Sequence, residues 1–309
     1  VDVGDLDRAP LERALPGWRW YRVEDPEPVE ARLAGAEVAV TNKVVIDAAR
    51  LERSAAEGLR LVCVAATGTN NVDLEAARAA GVAVANVVGY ATPAVVQHVF
   101  ALVLALSTRL LDYRAAVAAG RWSASARFCL LDYPVREIAG KTLGVAGYGE
   151  LGRGVARVAE AFGMEVLIAE RRGRTPRPGR LALEALLPRV DVLTLHCPLT
   201  PETRGLIGAA ELALMRPDAL LVNTARGGIV DEAALANALR AGRLGGAGVD
   251  VLGREPPSAD HPLLAADLPN LIVTPHTAWA SREARQRVFE EIARNIEAFR
   301  DGAARNRVA

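Results

Sequence analysis

Short β-branched runs ending in Gly, Asn, Thr or Pro alternate along this chain with Ala/Leu/Arg stretches of helical period. That alternation calls for parallel sheets covered by helices. In the first part, residues 35–43, 59–67 and 81–87 read as strands, and residues 46–54 and 72–80 as the helices between them. Thr92-Pro93 then supplies a cap and a first-turn proline for a helix over 94–111. That stretch is apolar on nearly every face, so it is expected to be buried between layers or domains. Residues 113–137 read as irregular, with Trp122, Phe128 and Tyr133 among polar neighbours, a segment suited to wrapping a second subunit.

A second alternating block follows, with strands read within 141–149, 164–170, 190–198, 219–227, 246–252 and 270–276. Six strands with intervening helices make a complete doubly wound sheet. A last helix over 281–301 is long enough to return to the first part. The fold class expected is therefore α/β, two Rossmann-like or flavodoxin-like domains with doubly wound parallel sheets and an interdomain cleft. Residues 1–90 with 277–309 would form a discontinuous substrate-binding domain and 91–276 a dinucleotide-binding domain. Val1 is expected inside a clipped first strand.

The 309 residues suit two domains better than one core. Acidic and basic residues balance at 37 each, so net charge encodes no attraction to nucleic acid or an anionic membrane. Cys63, Cys129 and Cys197 are scattered, with no C-x-x-C pair, which suggests neither a disulfide framework nor a metal site. The opening VDVGDLDR lacks the basic and apolar segments of a signal peptide, and the apolar run 99–106 is far shorter than the roughly 20 residues of a membrane span. A reducing cytoplasm is the expected compartment.

Gly147-Tyr148-Gly149-Glu150-Leu151-Gly152 fits G-x-G-x-x-G, weak alone but here placed between a strand and a helix. The first glycine would make the turn, the second admit a pyrophosphate, and the third let helix and strand pack closely. Glu170, 18 residues after Gly152, ends the next strand and is expected to accept from a ribose 2′-hydroxyl. Arg171 and Arg172 would instead suit the 2′-phosphate of NADP, or belong to a solvated arginine-rich loop, RRGRTPRPGR. The cofactor expected is NAD with tolerance of NADP.

Three more strand ends carry side chains unlike their surroundings: Arg226 in NTARG, Glu255 in DVLGREPP and His276 in TPHTAW. Ligands of open parallel sheets lie at the carboxyl ends of strands, so these could share one mouth. Reduction of a 2-oxo acid needs a cation for the carboxylate, which Arg meets bidentately, and an acid for the oxygen, which imidazolium supplies. A neighbouring carboxylate would keep that imidazole charged.

With ATGTNNVDL (66–74), GYATPAVVQH (89–98), LHCPLTPET (195–203), NTARGGIVDE (223–232), GVDVLGREPP (248–257) and TPHTAWAS (274–281), the chain resembles the D-isomer-specific 2-hydroxyacid dehydrogenase family over nearly its whole length. The resemblance implies that Arg226 binds the substrate carboxylate, His276 is the acid/base and Glu255 supports its charge. It implies that Asp250 meets the nicotinamide carboxamide, and that Asn42 and the backbone of Thr67 and Gly68 hold the substrate. Thr92, His196, Pro198, Thr224, Ala225 and Ala278 would line the cofactor, with Cys197, Thr203, Arg226 and His276 adjoining it. Gln97-His98, Thr41–Lys43 and the AWAS after His276 resemble the glycerate dehydrogenase/hydroxypyruvate reductase branch, with hydroxypyruvate and glyoxylate as first choices. A homodimer through the nucleotide domains is expected, with hinges at 89–92 and 274–278.

His98 reads as a satisfied core histidine and His261 as a surface one. His196 reads as cofactor lining or loop fixing, and Trp279 as pocket wall or packing. Pro256-Pro257 is read as stiffening the loop that aims Glu255, and Cys197 as a small residue near the adenine. Other readings are the same chemistry on another 2-oxo acid and, from a different class, an NAD-sensing corepressor. Formate and phosphite oxidation fit less well, because Glu255 and Thr67 stand where those branches carry glutamine and lysine.

Overall fold

The computed structural model describes residues 4–22 and 24–309; the strand expected at Val1 lies outside them. The chain divides into two compact units, Val1–Ala91 with Ala280–Ala309, and Thr92–Trp279.

The first unit carries α1 (Ala9–Ala14), α2 (Val29–Leu33), β1 (Val38–Thr41), α3 (Ala48–Ala56), β2 (Leu61–Val64), α4 (Leu74–Ala79) and β3 (Ala83–Ala85). The strands form one parallel sheet in the order β1-β2-β3, with Val38 opposite Leu61 and Leu61 opposite Ala83. All four residues of the central strand are buried, as a parallel strand covered on both faces requires. The helices begin later than the sequence periodicity predicts because an aspartate caps each. Asp47 accepts from the Arg50 N–H, and Asp73 accepts from the Glu75 and Ala76 N–H groups. Ile46 and Val72, expected inside those helices, instead pair with each other as an isolated bridge.

The C-terminal helix, Arg282–Arg300, belongs to this unit and buries Val288, Phe289, Ile292 and Ile296. Beyond it the tail turns back onto β3. The Val84 N–H donates to the Ala309 carbonyl at 3.0 Å and the Val308 N–H to the Val84 carbonyl at 2.8 Å, so the edge of the sheet is covered.

The second unit contains α5 (Thr92–Ser107), α6 (Leu110–Ala118), β4 (Thr142–Ala146), α7 (Glu150–Ala161), β5 (Glu165–Ala169), α8 (Leu183–Leu186), β6 (Val192–Leu195), α9 (Ala209–Leu214), β7 (Leu220–Asn223), α10 (Glu232–Arg240), β8 (Gly246–Val249) and β9 (Leu271–Val273). Its six strands are all parallel, in the order β5-β4-β6-β7-β8-β9. Because β4 pairs with β5 on one side and β6 on the other, the winding reverses there, and the carboxyl ends of β4 and β6 flank the switch point where such sheets bind ligands. Leu186, Leu187, Leu193, Leu195, Ile207, Leu221, Ile229 and Leu235 anchor the core at no exposure. Truncating any one of them to Ala costs about 2–5 kcal/mol.

The helix expected over 94–111 is two helices. Arg109 adopts a left-handed backbone (φ 55°), and the two axes bend by 61°. Thr108 Oγ1 donates back to the Leu104 carbonyl, the Arg136 N–H donates to the Ser107 carbonyl, and the Arg109 guanidinium holds Asp112 at 2.7 Å. The segment 113–137, expected to be irregular throughout, continues α6 to Ala118 because its Ala-rich stretch propagates the new helix. Among the described residues no single helix is long and apolar enough to cross a membrane.

Candidate active site

At the switch point, β4 ends at Ala146 and the chain turns at Gly147 with φ 99°, left-handed backbone that favours glycine. A Cβ there would also stand 2.5 Å from the Cys197 amide nitrogen, so the β4 turn and the β6 loop lie backbone against backbone. A Cβ on Gly152 would come within 2.2 Å of the Gly147 carbonyl, whereas one on Gly149 would meet nothing within 4 Å. The turn is thus tight where helix meets strand and open where an anion would approach. No side chain caps α7, so its first-turn N–H groups face that opening. Thr92 Oγ1 donates to Glu150 Oε1 at 2.6 Å, and Leu151 is half-buried.

On the β6 side, the His196 N–H donates to the Ala146 carbonyl at 2.7 Å, and its Nε2 pairs with Thr194 Oγ1 at 2.9 Å. His196 Nδ1 and Thr224 Oγ1 are the buried side-chain nitrogen and oxygen atoms left without a hydrogen bond among the described residues. Such atoms are costly unless a ligand satisfies them. Burial pushes the His196 pKa down to about 4, so the ring is neutral at working pH. It also pushes the Cys197 thiol up, in keeping with a packing role. Thr203 Oγ1 donates to the Pro198 carbonyl at 2.6 Å and accepts from the Thr200 N–H at 2.7 Å, fixing this loop. A buried Ala225 follows Thr224. The open glycine turn, the uncapped helix and the two orphaned polar atoms fit a dinucleotide.

Glu170 departs from its expected role. Oε1 accepts from the Arg171 N–H at 2.9 Å and Arg177 Nη2 at 2.7 Å, and Oε2 from Arg177 Nε at 2.6 Å and the Arg177 N–H at 3.3 Å. A carboxylate offers about four lone-pair sites, so none is left for a ribose hydroxyl. Those contacts hold the Glu170 carboxyl well below the usual carboxylate range, the Arg177 side chain contributing most. Arg172 pairs with Glu211 at 2.9 Å.

Arg226, Glu255 and His276 follow three adjacent strands, β7, β8 and β9. Packing brings the first two loops together: a Cβ on Gly227 would lie 2.0 Å from the Leu252 carbonyl, a contact that glycine alone permits. Arg226 is exposed, its Nη1 donates to the Ala225 carbonyl, and no described carboxylate pairs with it. Asn223 fixes this turn, donating to the Arg226 carbonyl and accepting from the Ala225 N–H, both at 3.0 Å. Glu255 Oε1 accepts from the Leu252 N–H at 2.9 Å, which aims Oε2 at His276 Nδ1, 2.6 Å away. His276 itself has a left-handed backbone (φ 55°).

The buried Asp250 underlies that conformation. Its Oδ1 takes the Thr274 hydroxyl at 2.5 Å and the Thr277 N–H at 2.9 Å, its Oδ2 takes the Ala278 N–H at 2.9 Å, and its carbonyl takes the His276 N–H at 2.8 Å. His98 Nε2 reaches Thr274 Oγ1 at 2.9 Å and so joins α5 to this network. His261 is not a surface residue: its side chain is 11% exposed and contacts Glu232 at 2.9 Å. Glu232 also accepts from the Gly253 N–H at 2.6 Å and so tethers the loop that carries Glu255. The only sequence signal for that tether was a histidine downstream of Glu255 in a proline-rich loop.

In the first unit, Asn42 follows β1 and donates to the Ala65 carbonyl at 2.7 Å, linking the carboxyl ends of β1 and β2. Thr67 Oγ1 donates to the Val87 carbonyl at 2.9 Å, and the Thr67 carbonyl takes the Asn86 amide at 2.8 Å. Gly68 continues that loop.

A doubly wound parallel sheet with an anion-ready glycine turn and a histidine–carboxylate pair at its carboxyl edge defines a nicotinamide-dinucleotide oxidoreductase. Residues 100–278 match the model of the D-isomer specific 2-hydroxyacid dehydrogenase NAD binding domain. The chain is 49% identical to the glycerate dehydrogenase of Methylorubrum extorquens over 281 residues, covering 91% of this chain and 88% of that one. It is 36% identical to the hydroxypyruvate reductase of Blautia hydrogenotrophica, covering 99% and 96%. A solved structure from Thermus thermophilus superposes with a TM-score of 0.82 at 38% identity, covering 95% of this chain and 91% of that one. The chain belongs to the D-isomer specific 2-hydroxyacid dehydrogenase family and is an NAD(P)-dependent enzyme of that class.

Proposed function

We propose that this enzyme reduces hydroxypyruvate and glyoxylate to the corresponding 2-hydroxy acids, with His276 as proton carrier. The observation that carries the reading is the Glu255–His276 pair at 2.6 Å beside an Arg226 that no described carboxylate neutralises. The bound dinucleotide supplies the hydride. Arg226 holds the substrate carboxylate by its two-pronged guanidinium. Glu255 occupies His276 Nδ1 and leaves Nε2 to give its proton to the substrate oxygen. Asp250, the Thr274 hydroxyl and the backbone of residues 276–278 hold the ring's supporting loop in place. The small substrates are supported by the relatives, glycerate dehydrogenase and hydroxypyruvate reductase.

The test follows reduced-cofactor absorbance with hydroxypyruvate, glyoxylate, pyruvate and a bulkier 2-oxo acid. The first two are expected to be turned over with the highest kcat/KM. Folded, cofactor-binding protein inert toward the whole panel would overturn the reading in favour of a dinucleotide sensor.

The working form is proposed to be a homodimer through the nucleotide unit. Phe128 is 90% exposed and Leu131 75%, with Trp122 and Val135 also exposed beyond α6, which is more apolar surface than a short segment normally leaves in water. A reducing cytoplasm is the proposed compartment, in keeping with three unpaired cysteines.

A further inference from the structure

The Glu170 carboxylate is the group by which a dinucleotide site of this kind would ordinarily prefer an unphosphorylated ribose, through a hydrogen bond to the 2′-hydroxyl and repulsion of a 2′-phosphate. In this chain that carboxylate is taken out of play. Its four acceptor sites are filled by four N–H groups, three of them from Arg177. A second guanidinium, Arg180 Nη1, lies 3.7 Å from it. The Glu170 side chain is 2% exposed, so it presents neither a lone pair nor an uncompensated charge.

The remaining arginines of the loop are differently placed. Arg172 is committed to Glu211, which also caps α9 through the Gly208 N–H. Arg171 and Arg174 are exposed, and no acidic side chain among the described residues pairs with either guanidinium. The strand end that receives the adenosine ribose therefore carries two uncommitted guanidiniums beside a neutralised carboxylate. That is the chemistry of a 2′-phosphate site: planar donors for bidentate contact and no opposing negative charge.

We infer that this enzyme selects NADP(H) over NAD(H), and that Arg177 sets the selection as a positioning residue by sequestering Glu170, while Arg171 and Arg174 receive the 2′-phosphate. The inference rests on the reading of the glycine turn as a dinucleotide site. It departs from the sequence-based expectation of NAD, which took Glu170 as available. Freed from Arg177, Glu170 would turn against phosphate and toward the ribose hydroxyl, so a residue that never meets the cofactor controls which cofactor is bound.

The test is calorimetric titration of the intact protein with 2′,5′-ADP and 5′-AMP, then with NADP⁺ and NAD⁺. Parent protein is expected to bind each phosphorylated ligand about tenfold or more tightly than its counterpart. Arg177→Met is expected to lower that ratio by about tenfold, mainly by weakening the phosphorylated ligand. Adding Glu170→Gln to Arg177→Met should raise the ratio again, which a merely structural role for Arg177 would not produce. If Arg177→Met fails to fold, Arg171→Ser with Arg174→Ser carries the test, weakening 2′,5′-ADP and leaving 5′-AMP unchanged. Equal affinities in the parent, or tighter 5′-AMP, would overturn the inference. Substrate is absent from these titrations, so loss of 2-oxo acid turnover would count against the proposed reaction alone. Intact turnover with an NADH preference would count against this inference alone.

Discussion

His276 holds its ring from a left-handed backbone, a conformation costing on the order of 1 kcal/mol for a residue with a Cβ. It persists because Asp250 accepts from the Thr277 and Ala278 N–H groups and from the His276 N–H on either side of the turn. A residue held so firmly, with Nδ1 already bonded, can move a proton at Nε2 without reorienting. Glu255→Gln keeps an acceptor beside Nδ1 but removes the negative charge beside the proposed proton carrier. It is expected to lower kcat by about 10²-fold with KM changed by less than about threefold. Arg226→Lys keeps the charge and loses the fork, so KM for the 2-oxo acid is expected to rise by about tenfold while the dissociation constant of the cofactor holds. Steady-state kinetics with cofactor titration separates the two. Arg226, Glu255 and His276 were legible in the sequence as candidates because each follows a strand among residues unlike it, and the structure sets them after adjacent strands. Arg177 was not, because one arginine among several in an aperiodic loop carries no sign of which acid it will meet.

At the scale of elements, the strands and the glycine turn were read from β-branched runs and their terminators, and helix starts were displaced by a residue or two where aspartate caps intervened. The bend at Arg109 was not read because Ser107-Thr108-Arg109 holds no Gly or Pro to mark a break, and the Ser107 carbonyl at the turn is met by the distant Arg136 N–H. The loop after β6 carries a consequence for stability. His196 is depressed to about 4 in the folded protein by burial, against about 6.5 in an unfolded chain. Between those values the unfolded chain binds the extra proton, so stability present above about pH 6.5 is lost as pH falls toward 4. The contribution is on the order of 3 kcal/mol. His196→Asn is expected to flatten the fall in urea midpoint between pH 6.5 and 4.5, and a parallel fall in parent and variant would contradict the assignment.

For the whole molecule, a chain that leaves one sheet, completes another and returns through a C-terminal helix was foreseeable from the order of its runs. The tail that pairs with β3 was not, because Asn306–Ala309 has no strand pattern of its own. The exposed apolar residues of the 122–135 segment argue for assembly. Sedimentation is expected to give twice the 32.7 kDa chain mass, with Phe128→Asp and Leu131→Asp together shifting it toward the monomer. The central claim is hydride delivery to the 2-carbon of a small 2-oxo acid with His276 passing the proton. Its most direct measurement is NMR of the product formed from hydroxypyruvate and reduced cofactor deuterated at the nicotinamide C4 position. The account predicts deuterium at C2 of the hydroxy acid with the parent protein, and none above the enzyme-free blank with folded His276→Gln. Unlabelled product from cofactor deuterated on both C4 faces, or full labelled turnover by His276→Gln, would contradict it.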